Sequence, residues 1–182
     1  MKGRKMGLKY LLIIWMIFKL KLVVGEDTDH GRRKRIILLA MFDELNSYTH
    51  WNHFFYKPNE VLSSVCNAPN DQSGVYIIYK LQKSGVELIY IGSSGSLLAN
   101  GKIKHRKGGL YDRLVNGKQF GSARRNSWSK KMQEEKITAI DVNWYVTYRE
   151  KIKHNPVEIE KILRQKFFDL HGRLPAWNKR LG

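Results

Sequence analysis

The most restrictive feature of this 182-residue sequence is a pair of β-rich runs lying close together near its middle. Gly74–Leu81 and Val86–Ile91 are rich in Val, Ile, Leu and Tyr, and only Gln82–Gly85, polar or glycine, separates them. So short a link predicts an antiparallel hairpin, because parallel strands need a crossover of about a dozen residues or more. A third strand is predicted downstream, where Ile140, Val142, Trp144, Val146 and Tyr148 alternate with Asp141, Asn143, Tyr145 and Thr147. Between them lie a glycine-broken basic loop and two short predicted helices, Leu110–Asn116 and Ser127–Lys136. A longer helix, Val157–Leu170, follows Pro156, and its Ile159, Ile162, Leu163, Phe167 and Leu170 recur at helical spacing. The expected architecture is α+β: a three-stranded antiparallel sheet flanked by helices, with a helical and aromatic N-terminal extension.

Upstream of the hairpin, 67–73 reads as a loop by composition. Asn46–Leu62 is rich in aromatics (Tyr48, Trp51, Phe54, Phe55, Tyr56) and is expected to pack onto the domain. Arg35–Leu45 reads as a helix behind the charged linker Gly31–Lys34. Met1–Lys9 is basic and Tyr10–Phe18 is an apolar run, shorter than the ~20 residues a spanning helix needs. Residues 1–40 keep three readings: a signal peptide, an extension ahead of a start at Met41, or an amphipathic helix packed on the domain. Residues 41–182 are read as a single domain, with its core at about 72–180.

The formal net charge of +17 points to a polyanionic partner. Ser96–Lys131 holds ten basic residues and one acid, Asp112, the density expected of a strip that faces phosphates. Cys66 is the only cysteine, which excludes an internal disulfide and a multi-thiolate zinc site. His50 and His53 have HxxH spacing but no further ligand follows, so both are read as packing or surface residues.

The first strand of the hairpin carries Gly74-Val75-Tyr76 and the second Tyr90-Ile91-Gly92, with thirteen residues between the tyrosines. A helix bearing Arg113 follows, then a helix bearing Glu158 and Glu160, then Asn178 behind a proline in Leu174-Pro175-Ala176-Trp177-Asn178. In this order the elements resemble the GIY-YIG nuclease superfamily, and most closely its small type II restriction endonucleases. The resemblance spans about 72–180. It implies that Tyr76, Tyr90, Arg113, Glu160 and Asn178 build one site on the sheet face for hydrolysing DNA phosphodiesters.

The residue types suit that chemistry. A guanidinium is permanently charged and forks onto two oxygens, so Arg113 matches a phosphate gaining negative charge. A single carboxylate suits Mg²⁺ (or Mn²⁺), which keeps several waters, and Glu160 is the implied ligand. Glu158 is the alternative, because the two flank the apolar stripe at Ile159 symmetrically. Tyr90 would position or deprotonate the attacking water if neighbouring cations lowered its pKa, with Tyr76 in support. Two departures stand out. Gly117 occupies the place, four residues after the Arg, where many members carry His or Tyr; Lys118 is a candidate substitute. The second motif is also followed by a long basic insertion, Ser93–Gly109, in which Lys102 matches a lysine that some restriction enzymes use to activate water; Lys104 and His105 are its neighbours.

Gly117–Lys131 resembles the corresponding part of those restriction enzymes, and its Gln119, Arg124, Arg125 and Asn126 are of types that read base edges. Lys104, Arg106, Lys107, Lys118, Lys130 and Asn178 complete the expected DNA contacts. The implied protein is a sequence-specific double-strand endonuclease, expected to be a cytoplasmic homodimer with no membrane partner for its folded part. A nonspecific or structure-selective nuclease and an inactive nucleic-acid-binding protein are the alternatives.

Overall fold

A computed structural model of the chain describes residues 42–98, 103–104, 106–149 and 152–181. Lys102, His105 and the extension before residue 42 lie outside the described residues. Of the helix expected over Arg35–Leu45, the described end forms a 3-10 turn, Asp43–Ser47.

The expected hairpin is formed by β2 (Ser73–Gln82) and β3 (Gly85–Ser94). Each strand runs further than its apolar run, leaving Lys83 and Ser84 as the turn. The third expected strand is β8 (Ala139–Arg149), antiparallel to β2. The aromatic segment, expected to pack onto the domain, supplies a fourth: β1 (Trp51–Tyr56) pairs with β8, Trp51 opposite Tyr145 and Tyr56 opposite Ile140. Its sequence, Trp-Asn-His-Phe-Phe-Tyr, has no clean alternation, so nothing local announces the strand. The sheet order is β1-β8-β2-β3, with the short β9 (Ile152–Lys153) folding back on β8. The fold is α+β, an antiparallel sheet flanked by helices.

One irregularity in the hairpin decides where the second tyrosine points. Ile78 pairs with Tyr90 but Tyr79 pairs with Leu88, so Ile89 is an extra residue, a β-bulge. Val86 and Leu88 face one side of the sheet; strict alternation would send Tyr90 there too. The bulge shifts the phase by one, and Tyr90 emerges on the face that carries Tyr76.

That face is covered by α2 (Gly109–Val115), through Leu110 and Leu114, by α3 (Arg124–Glu134), through Trp128 and Met132, and by Trp177. The opposite face, with Val75, Ile77, Leu81 and Ile91, is covered by Leu163 and Phe167 of α4 (Pro156–His171) and by Phe42, Leu45 and Tyr48. The ends of α4 are written locally. The Asn155 side chain accepts from the Val157 N–H, Pro156 takes the first turn, and Gly172 at φ 64° stops the helix. The remaining elements are α1 (Leu62–Val65), the pair β4 (Ser96–Leu97) and β5 (Ile103–Lys104), and the small hairpin β6 (Lys118–Gln119) and β7 (Ser122–Ala123).

Candidate active site

β3 is an edge strand, and its outward N–H and C=O groups need partners. Three residues from elsewhere provide them at alternate positions. The Trp177 N–H donates to the Ile89 carbonyl at 2.8 Å. Asn178 closes a two-bond bridge with Ile91: its Oδ1 accepts from the Ile91 N–H and its Nδ2 donates to the Ile91 carbonyl, both at 2.9 Å. Arg113 Nε donates to the Ser93 carbonyl at 3.1 Å. Asn178, expected to touch DNA, therefore uses its amide as a one-residue strand that fixes the backbone beside Tyr90. That is a positioning role.

Tyr76 and Tyr90 stack with ring centroids 6.0 Å apart and planes inclined by 23°. Gly92 makes this possible, since a Cβ there would stand 2.4 Å from the Tyr76 hydroxyl oxygen and 2.6 Å from a Tyr90 ring carbon. The guanidinium of Arg124 lies 5.1 Å from the Tyr76 ring centroid, 5.3 Å from that of Tyr90 and 5.2 Å from that of Trp128. It is wholly buried, with Nε donating to Gln119 Oε1 at 3.0 Å and Nη1 to the Arg113 carbonyl at 2.9 Å. Gln119 Oε1 also accepts from Trp128 Nε1. Arg124, expected among the base-reading residues, is instead buried in the scaffold under the tyrosines, while Gln119, half-buried, commits its Oε1 to that scaffold and also lines a cleft. Gly117 is explained as well. A Cβ there would sit 2.3 Å from the Arg113 carbonyl oxygen, so no ring fits, and it is Arg124 that lies against the tyrosines. Lys118 is exposed.

Electrostatics narrow a second expectation. The Tyr90 phenol is pushed up to about 12, first by its neighbour Tyr76 and then by burial; Arg124 and Arg113 pull the other way and lose. A raised value favours the first of the two roles expected for Tyr90, positioning a water or donating to an oxygen, over deprotonating it, which required a lowered pKa. Arg113 is held more firmly charged than usual, chiefly by Tyr76, against the opposing effect of burial. Tyr90 and Glu160 add to the same direction. The Tyr76 hydroxyl is buried against this guanidinium without a hydrogen bond of normal geometry.

Glu160 approaches from α4, on the side of the sheet opposite the tyrosines. Its carboxylate accepts from the Ser93 hydroxyl and pairs with Arg164, one turn along the helix. Glu158 is exposed to solvent, so of the two carboxylates only Glu160 meets β3. The four residues consequently gather around the end of the edge strand, not on a sheet face as expected: tyrosines from one face, Glu160 from the other, Arg113 closing the edge. For Arg164 the sequence carries one signal, its i,i+4 spacing from Glu160. Arg164 also donates to the Ile91 carbonyl at 3.4 Å and the Arg180 carbonyl at 3.2 Å.

Two clefts flank this point. One, of about 460 Å³, is lined by Ser93–Ser96, Lys104, Arg106, Lys107 and Arg113. The other, of about 340 Å³, is lined by Tyr90, Lys118, Gln119, Phe120, Arg164 and Trp177–Arg180. Among the described residues neither lining includes an acidic side chain. Arg106 is partly committed to an ion pair with Asp112. Arg125, Asn126 and Lys130 are exposed on α3, outside both clefts, and Arg125 donates to Asn116.

No family model, curated protein or solved structure matches the chain.

Among the described residues no three His, Cys, Asp or Glu side chains cluster as a metal site. Among the described residues Glu160 is the carboxylate that meets the Ser93 end of β3, so a cation there would complete its shell with water and substrate oxygens, a donor set that Mg²⁺ accepts. His53 bonds Asp141 at 2.9 Å and His50 meets Trp144 edge-on, the packing roles read for them. Burial pushes the Cys66 thiol up to about 11. Among the described residues no helix is long and apolar enough to cross a membrane.

Proposed function

We propose that this protein is a GIY-YIG-type DNA endonuclease that uses one Mg²⁺ or Mn²⁺ per site and cuts both strands as a homodimer, in the manner of a type II restriction enzyme. The observation that carries the reading is the meeting of Tyr76, Tyr90, Arg113 and Glu160 at one end of β3, between two clefts lined, among the described residues, by cations and no acid. In this reading a DNA strand lies along both clefts with its scissile phosphate at Arg113. The guanidinium, already fully charged, forks onto the nonbridging oxygens and stabilises the charge that builds up as water attacks. The neutral Tyr90 phenol orients that water, and Arg124 and Gly92 hold the ring in place. Glu160, which bonds the Ser93 hydroxyl and Arg164, would hold the ion, and the ion would supply Lewis-acid stabilisation of the leaving oxygen. Arg164, beside Glu160 on the lining of the second cleft, would contact a phosphate next in line.

Incubating purified protein with phage DNA and Mg²⁺ tests this. Discrete bands are expected. A smear would assign a nonspecific nuclease, and tight binding without cutting would assign a DNA-binding protein.

A further inference from the structure

The turn between β6 and β7 holds a residue that turn chemistry alone would not choose. Its two positions are Phe120 and Gly121, both left-handed, with φ of 53° and 87°. Glycine suits such a position, but a bulky aromatic is strained there, and residues kept in such conformations cluster where function holds them. The surroundings show what the ring is held for. Phe120 stands edge-on to Trp177, with centroids 5.1 Å apart and planes at 85°, and remains 36% exposed. Trp177 is itself buried and anchored by its Nε1 to Glu135 at 3.0 Å. The base of the hairpin is fixed by the bonds from Gln119 to Arg124 and Trp128. A rigid support thus presents an aromatic ring to the cleft that also holds Tyr90, Lys118 and Arg180.

We propose that Phe120 is a stacking platform for a nucleobase next to the scissile phosphate. Resting on the DNA-cleaving reading above, the inference adds a contact to a base. The cations of the cleft draw in the backbone, and a ring on a stiff turn, one face of which carries Lys131 Nζ 5.6 Å from its centroid, then offers its other face to whichever base leaves the stack. Such stacking tolerates sequence, because every base has a π-face.

The test compares two labelled strands of equal length by fluorescence anisotropy, in chelator and without metal. One is oligothymidylate of about 15 nucleotides, and the other is the same deoxyribose-phosphate chain lacking its bases. The wild-type protein should prefer the strand with bases by about tenfold. Phe120→Ala should erase that preference while leaving the affinity for the abasic strand unchanged, and Phe120→Trp should keep it. Phe120→Leu, which retains bulk without a π-face, covers the case in which alanine unsettles the turn, and it too must lose the preference. Equal affinity of the wild type for both strands, or parallel losses on both in the variants, would overturn the proposal. Binding is read without turnover, so a protein that never cuts DNA could still pass, and failure here leaves the cleavage reading standing.

Discussion

Arg124 and Arg125 are neighbours at the start of α3, yet they belong to two different regions of the molecule. Arg124 is wholly buried above the Tyr76, Tyr90 and Trp128 rings, while Arg125 is exposed and bonds only a nearby asparagine. The same division runs through all the cations around β3. In an inner layer Arg124 is wholly buried and Arg113 and Arg164 are half-buried, each with N–H groups aimed at named carbonyls or at Glu160. An outer rim of Lys104, Lys107, Lys118 and Lys130 is exposed to solvent. Charge in the inner layer is structural and directional; charge in the rim is a field. A guanidinium can serve in the inner layer because it is planar, weakly hydrated and stacks on rings, which an ammonium does less well.

The contrast is sharpest in cleavage. Arg113→Ala or Glu160→Gln should lower the rate on phage DNA by about a thousandfold, the size seen when one preorganised charge-stabilising group is removed. Lys130→Ala should change the same gel assay little. Stability gives the next largest difference. Arg124→Ala leaves three rings without their cation, removes one of the two donors to Gln119 Oε1 and takes the donor from the Arg113 carbonyl, and should cost roughly 2–4 kcal/mol in a denaturant titration, while Arg125→Ala should stay within about 0.5 kcal/mol. Equal effects at the two arginines would dissolve the distinction between layer and rim.

Most of the fold could be read in advance because its signals are local. The hairpin, the alternating strand Ala139–Arg149 and the capped helix Pro156–His171 each announce themselves within a dozen or so residues. What could not be read depends on contacts distant in sequence. Burial of Arg124 requires rings from β2 and β3 besides that of Trp128 one turn along α3, and those strands are distant in sequence. β1 exists because β8 offers it an edge. The bulge at Ile89 is a pairing offset visible only against β2, although it decides the face of Tyr90. The pKa of Tyr90 followed the same pattern: cations were foreseen near it, but not that Tyr76 and burial would outweigh them.

Alkaline titration probes the inner layer. A folded-state value of about 12, above the ordinary 10, means that folding favours the protonated phenol. Its contribution is fully present below pH ~10 and is lost as pH rises towards ~12, up to about 2–3 kcal/mol. Tyr90→Phe should remove that share of the alkaline loss in unfolding measurements from pH ~8 to ~12. The rim gives the smallest effect. Each of Lys104→Ala and Lys107→Ala should weaken binding to all DNA sequences alike and lower the slope of log affinity against log salt by about 1.

The most direct test asks whether the inner residues act on one phosphate together. Single-turnover cleavage of phage DNA should be compared for Arg113→Ala, Glu160→Gln and the double variant. If both groups serve the same transition state, the double variant falls no further than the slower single one, because groups acting as a unit do not lose independently. Losses that multiply, or a single variant that cuts at the wild-type rate, would contradict a shared site at the end of β3.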